Sequence, residues 1–233
     1  MAQNTKISKS DVLKHLRHAI LTQALLPGAD LDEATLSDQW ALSRTPLRDV
    51  LRQLAGEGFV EIRENRGARV SEMSHRTLRD FFLAAPMIYG AVLRLAASNG
   101  TPVQIAALKK AQVQFKAALR SDDIAARALA NNHFHAVTGQ MADNVYLLPS
   151  FNRLLIDHAR ISMTFFRPRD AATTENLNAA SQQHDAIIAA IEGADADAAA
   201  DLAIAHWNLS RHNIEQFVMP QGLNLPLGDA PLK

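Results

Sequence analysis

The chain has 233 residues, 48% of them apolar, with 24 basic and 24 acidic side chains and no cysteine. That length holds one large domain or two small ones with substantial cores, and the lack of cysteine excludes disulfides, thiol catalysis and cysteine-ligated zinc. A net charge of zero counts mildly against a nucleic-acid partner, but the charge is segregated: Arg44, Arg48, Arg52, Arg63, Arg66 and Arg69 fall close together, whereas residues 171–201 carry acids and neither Lys nor Arg.

No apolar run reaches the ~18 residues that span a bilayer, and Met1 to Lys9 holds no apolar signal core. The expectation is a cytoplasmic protein with no membrane partner. Residues 11–24 show helical periodicity in Val12, Leu13, Leu16, Ile20 and Leu21. Ser8 or Ser10 can cap this helix, and Pro27-Gly28 ends it. Leu31 to Trp40 reads as a second short helix with Leu36 and Trp40 facing inward. A third begins at Ser43, a candidate cap, with Pro46 in its first turn, where a missing N–H costs little. Leu47, Val50, Leu51 and Leu54 line one side of it; Arg44, Arg48 and Arg52, four apart, line another. Taken alone, such a helix is either a reader of a DNA groove or a solvated basic surface.

Two short strand-like runs follow, Phe59–Arg63 and Ala68–Val70, joined by Glu64-Asn65-Arg66-Gly67, a turn sequence. Three helices and a hairpin in this order make a winged helix-turn-helix. From about residue 76 alanine becomes abundant and strand patterns cease. Helices are expected over 76–98, 103–120, 122–140, 145–166, 176–192 and 195–218. The fold is mainly α: a winged helix-turn-helix domain over 1–72, a linker at Ser71 to His75, an antiparallel helical bundle over 76–219, and a Pro- and Gly-containing tail over 220–233.

The N-terminal segment resembles the GntR family of bacterial transcription regulators. The resemblance runs through Ile20-Leu21, Leu26-Pro27-Gly28, Leu31, Leu36-Ser37, Ser43-Arg44-Thr45-Pro46-Leu47-Arg48, Leu51, Leu54, Gly58-Phe59-Val60 and Arg66-Gly67-Ala68-Arg69-Val70. The helical remainder, with its histidines, resembles the ligand-sensing FCD module of the FadR subfamily. The resemblance implies a homodimer that binds an inverted repeat in double-stranded DNA. Ser43, Arg44, Thr45 and Arg48 would face the major groove, and Arg66 and Gly67 would form the wing tip in the minor groove. Two arginines can pair with guanine O6 and N7; hydroxyls and free N–H groups at a helix start suit phosphate; Gly67 permits close approach. Arg52 is either a phosphate contact or the partner of Asp49.

Asn131 and His135 lie four apart on one helical face. His184 and His206 sit on the last two helices at similar heights from the turn near Gly193. Three imidazoles and an amide oxygen can therefore converge, and imidazoles suit zinc, nickel or cobalt. On the residues alone, hydrogen-bonded core histidines are the preferred reading. The FCD resemblance implies instead a divalent metal (Zn, Ni or Mn) on Asn131, His135, His184 and His206 that helps bind an acidic small-molecule effector. Asn131 stands where the family has Asp, a weaker, neutral ligand. The family's cavity arginine is missing as well: Leu83 to Tyr89 carries no charge, and Pro86 is expected to kink the helix. Arg160 or Arg94 could substitute, or each forms a surface ion pair; Tyr89 either reaches the effector or packs in the core. His133 should point to solvent, and His158 has no partner at ligand spacing. Together these features imply an effector-controlled repressor. The alternative is a metal-dependent hydrolase built on the histidines, although no His-Glu-x-x-His or Gly-x-Ser-x-Gly motif is present.

Overall fold

Ser8 starts the first helix, α1 (Lys9–Leu21), through a reciprocal cap: its hydroxyl accepts from the Asp11 N–H, and the Asp11 carboxylate accepts from the Ser8 N–H. The computed structural model describes residues 8–64, 67–167 and 171–218, and the side chains of these except 171–174 and 210–218. α1 ends at Leu21, the last residue of its apolar pattern and short of the expected 24, and Gln23 turns the chain at φ 57°. α2 (Glu33–Trp40) and α3 (Arg44–Glu57) follow. Ser43 occupies the N-cap position of α3 without a side-chain cap bond, which corrects the expected capping role and leaves its exposed hydroxyl free. Gly58 closes α3 in the left-handed conformation.

The strands β1 (Asp30–Leu31), β2 (Val60–Arg63) and β3 (Gly67–Val70) form an antiparallel sheet in the order β1-β3-β2. The expected hairpin is β2-β3, in register Val60 to Val70 and Arg63 to Gly67. β1, only two residues long, was not foreseen. The head core combines Val12, Leu16 and Ile20 of α1 with Leu47, Val50, Leu51 and Leu54 of α3, closed by Val60, Ala68 and Val70. Ile156 from the helical half of the chain completes it.

Gly67 is required here by the fold. Its φ is +79°, and a Cβ would lie 2.4 Å from the Leu31 carbonyl oxygen in the neighbouring strand. Gly67→Ala should therefore cost about 1–3 kcal/mol through left-handed strain and backbone collision. Urea denaturation checks this; a variant as stable as the parent would show that β1 does not hold this position.

All six expected helices of the second half are present: α4 (His75–Asn99), α5 (Pro102–Leu119), α6 (Ile124–Ala142), α7 (Leu147–Phe165), α8 (Ala171–Glu192) and α9 (Ala196–Val218). α8 begins five residues before its expected start at 176. α4 continues through Pro86 as one helix. By length and composition α4 could cross a membrane, but it packs against α6, α7, α8 and α9. Thr101 and Gln104 form a reciprocal cap on α5, with Pro102 at its first position. Arg127 on α6 is buried and donates to the Phe166 carbonyl at 3.1 Å, tying α6 to the end of α7.

Candidate functional sites

The outer face of the head is a cleft of about 530 Å³ between the start of α2, the basic side of α3 and the β2-β3 hairpin, lined by Glu33, Arg44, Arg48, Arg52, Arg63 and Gly67 among others. The four buried leucine and valine positions of α3 turn its other side outward, so Ser43, Arg44, Thr45, Arg48 and Arg52 are all exposed. Arg48 Nε donates to Glu33 at 2.8 Å, and both residues line the cleft. Arg52 lies 3.8 Å from Asp49 and is 73% exposed, a geometry that leaves both of its expected roles open. Arg66 lies outside the described residues. The first-turn N–H groups of α3 carry no bond from Ser43, and the helix dipole adds partial positive charge there.

Deep in the bundle, His135 of α6, His184 of α8 and His206 of α9 bring one ring nitrogen each to within 4.8 Å of one another. All three are buried. His184 stacks on Phe134 at 3.7 Å between ring centroids, fixing its plane. Gln112 of α5 fixes its proton. The Gln112 amide group donates to the Ser181 carbonyl at 2.9 Å and to Asp185 at 3.0 Å, both acceptors. Its oxygen must then face His184 Nδ1, 3.1 Å away. Nδ1 therefore carries the hydrogen and Nε2 keeps its lone pair. His206 Nδ1 lies 2.9 Å from Gln183 Oε1. Nε2 of His135 and of His184 are buried and have no hydrogen-bond partner. Buried imidazole nitrogens without a partner fit a divalent ion of intermediate softness; closure to metal–nitrogen distances of about 2.0–2.1 Å requires a small inward movement.

His158 of α7 joins this group, which its isolated place in the sequence did not reveal. It is buried, its ring centroid is 4.9 Å from that of His135, and its Nδ1 is hydrogen-bonded to the Tyr89 hydroxyl at 2.6 Å. Tyr89, His135, His158, His206 and Trp207 line a void of only about 10 Å³. That is room for about one water, so a metabolite enters only if the surrounding helices move. Asn131 is buried one turn before His135. Arg160 lies elsewhere: it points from α7 toward the head, paired with Asp157 and donating to the Ser71 carbonyl at 2.6 Å. This placement corrects the expectation that Arg160 lines the effector pocket, since residues two apart on a helix face opposite ways. Arg94 forms an exposed ion pair with Asp197, and His133 is exposed as expected.

Burial depresses all four imidazoles. His158 titrates at about 3 and His206 at about 4, each held down first by desolvation; His135 and His184 lie well below the usual histidine range for the same cause, with further repulsion from the neighbouring imidazoles. The unfolded chain, titrating near 6.5, binds more protons than the folded one over this interval. Stability is therefore complete above about pH 6.5 and falls as pH drops toward 4, by up to ~1.4 kcal/mol per pH unit for each histidine. Urea midpoints of chelator-treated protein should drop between pH 7 and pH 5; equal midpoints would contradict burial of neutral imidazoles.

Residues 8–70 match the family described as bacterial regulatory proteins, gntR family, and residues 86–209 match the FCD domain. Among curated proteins the chain is similar to the HTH-type transcriptional repressor GlaR of Escherichia coli, 28% identical over 206 residues that cover 86% of this chain and 92% of that protein. It is also similar to a protein of Paenarthrobacter nicotinovorans named as probable D-xylose utilization operon transcriptional repressor, 27% identical over 209 residues, 88% of this chain and 89% of that one. Among solved structures, E. coli McbR/YncC shares the fold with a TM-score of 0.74 over 91% of this chain and 99% of that chain, at 19% identity. The two curated proteins are named as transcriptional repressors, and the hydrolase alternative is set aside.

Proposed function

We propose that this chain, which belongs to the GntR family of bacterial regulatory proteins and carries an FCD domain, represses transcription in the cytoplasm as a homodimer bound to an inverted-repeat operator. The observation that carries the proposal is the exposed start of α3, where Ser43, Arg44, Thr45 and Arg48 stand together beside an open cleft lined by Arg44, Arg48, Arg52 and Arg63 as well as by Asp32, Glu33 and Glu64. In this reading Arg44 and Arg48 pair with guanine edges, Ser43 and Thr45 hold phosphate, and the hairpin with Arg66 and Gly67 reaches the minor groove. Residues 1–72 act as the DNA-binding head and 76–219 as the sensing and dimerising bundle.

The second part of the proposal concerns the signal. His135, His184 and His206, with Asn131 beside them, hold zinc, nickel or manganese, and a small organic acid binds at the metal next to Tyr89. Support comes from the oriented imidazoles with unpartnered nitrogens. No Asp or Glu joins the triad among the described residues, so the ion's charge is left for an acidic effector to meet. Such an effector shifts operator affinity by no more than its difference in affinity for the two arrangements of the protein.

Selection from random duplex DNA with the full chain tests the first part. Enrichment of two half-sites related by two-fold symmetry is expected, with half-site spacing set by the dimer. A pool that stays random, or enriched sites without symmetry, would overturn it. Adding metabolites to the selected complex then identifies the acid that releases it.

A further inference from the structure

α7 is buried on two sides. Ile156 belongs to the core of the head, whereas His158 lines the histidine pocket and bonds Tyr89. Arg160, one turn after Ile156 and on the same face, has none of its surface exposed. Its guanidinium donates to the carbonyl of Ser71 at 2.6 Å and pairs with Asp157, and its own carbonyl accepts from the Gln23 side chain. A buried guanidinium is costly to desolvate and is weak evidence of a purely stabilising role. Here the guanidinium ties the link between β3 and α4 to α7, and the backbone carbonyl of the same residue ties α7 to the turn after α1.

Ser71 extends the connection to the DNA face. Its N–H donates to Phe59, and its hydroxyl donates to the carbonyl of Gly58, the residue that ends α3. A continuous set of bonds thus runs from Tyr89 and His158 in the pocket, along α7 to Arg160, and on to the end of the helix placed in the DNA groove. We propose that Arg160 is a positioning residue that fixes the DNA-binding head on the bundle, and that α7 carries pocket occupancy to the head through it. The proposal rests on the sensing role assigned to the histidine pocket. The void there is about 10 Å³, so an occupant must displace its walls, and α7 is the wall that also touches the head.

The test needs neither DNA nor effector, so its outcome is separate from that of operator selection. The chain has no cysteine, and spin labels can be placed on thiols introduced at the exposed positions Gln53 of α3 and Gln140 of α6. Labelled protomers are diluted into unlabelled protein so that the head-to-bundle distance within one chain is read. The parent should give one narrow distance distribution. Arg160→Met, which keeps the side chain's bulk, should lose that narrow peak, and Arg160→Lys should restore it in part. Ala203→Leu overfills the pocket and acts as a built-in occupant; it should shift the distance in the parent and not in the Arg160→Met background. If Arg160→Met does not fold, Asp157→Asn and Gln23→Ala take its place with the same expectation. An unchanged narrow peak in these variants would overturn the positioning role. An Ala203→Leu shift that is absent from the parent, or equal in both backgrounds, would overturn the relay.

Discussion

Arg48→Ala should weaken operator binding by about 1–3 kcal/mol, roughly 5- to 150-fold, and relax selectivity at one base pair. The size follows from what the guanidinium offers. It is exposed, it sits over the cleft at the start of α3, and Glu33 holds it through Nε alone at 2.8 Å, leaving its two terminal nitrogens for a guanine edge. In the proposed reading, removing it deletes a bidentate contact that reads sequence. Arg52→Ala provides the contrast, since a phosphate contact should weaken all sequences alike and lower the salt dependence by about one counterion. Parallel anisotropy titrations on the selected site and on its single-base variants separate the two. Equal affinity of Arg48→Ala and parent would mean that this face of α3 does not read DNA.

His184→Phe should abolish metal uptake while leaving operator binding of the metal-free protein in place. Phenylalanine preserves an aromatic ring against Phe134, where His184 now stacks at 3.7 Å, and removes the Nε2 lone pair. Gln112→Ala should act more mildly, because it frees the ring of His184 without deleting the ligand; loss of an outer partner typically costs about 10- to 100-fold in metal affinity. Zinc titration with a competing chelator orders the three proteins as parent, Gln112→Ala, His184→Phe. A parent chain that takes up no zinc, nickel or manganese, and gains no thermal stability from them, would contradict the metal reading.

The helices were legible in the sequence where an apolar stripe joins a recognisable start, such as Ser8 with Asp11 or Thr101-Pro102 with Gln104; the start of α8 was expected five residues late. β1 was not, since two residues show no period. Gly67 was visible as a turn glycine, but its cause, the Leu31 carbonyl 2.4 Å from where a Cβ would be, lies in that unrecognised strand. The convergence of His135, His184 and His206 could be read from helix register. Gln112 and Gln183 could not, because they sit 72 and 23 residues from the rings they orient. His158 and Arg160 show the limit most clearly. One reads as an isolated histidine and the other as a spare cation; their spacing puts them on opposite faces of one helix, and only the packing shows that one face meets Tyr89 and the other Ser71. A signal was present in α7: the apolar residues Leu154, Leu155, Ile156, Ala159 and Ile161 go around the helix and not along one stripe, and all are buried, as in a helix with neighbours on both sides.

The central claim is that α3 and its wing read a DNA sequence. Affinity of the full-length chain for the selected inverted repeat, set against a shuffled duplex at the same salt concentration, tests it most directly. The repeat should bind at least ~10³-fold more tightly. Affinities that differ by less than about tenfold would reduce the basic face to non-specific attraction for phosphate and contradict the account.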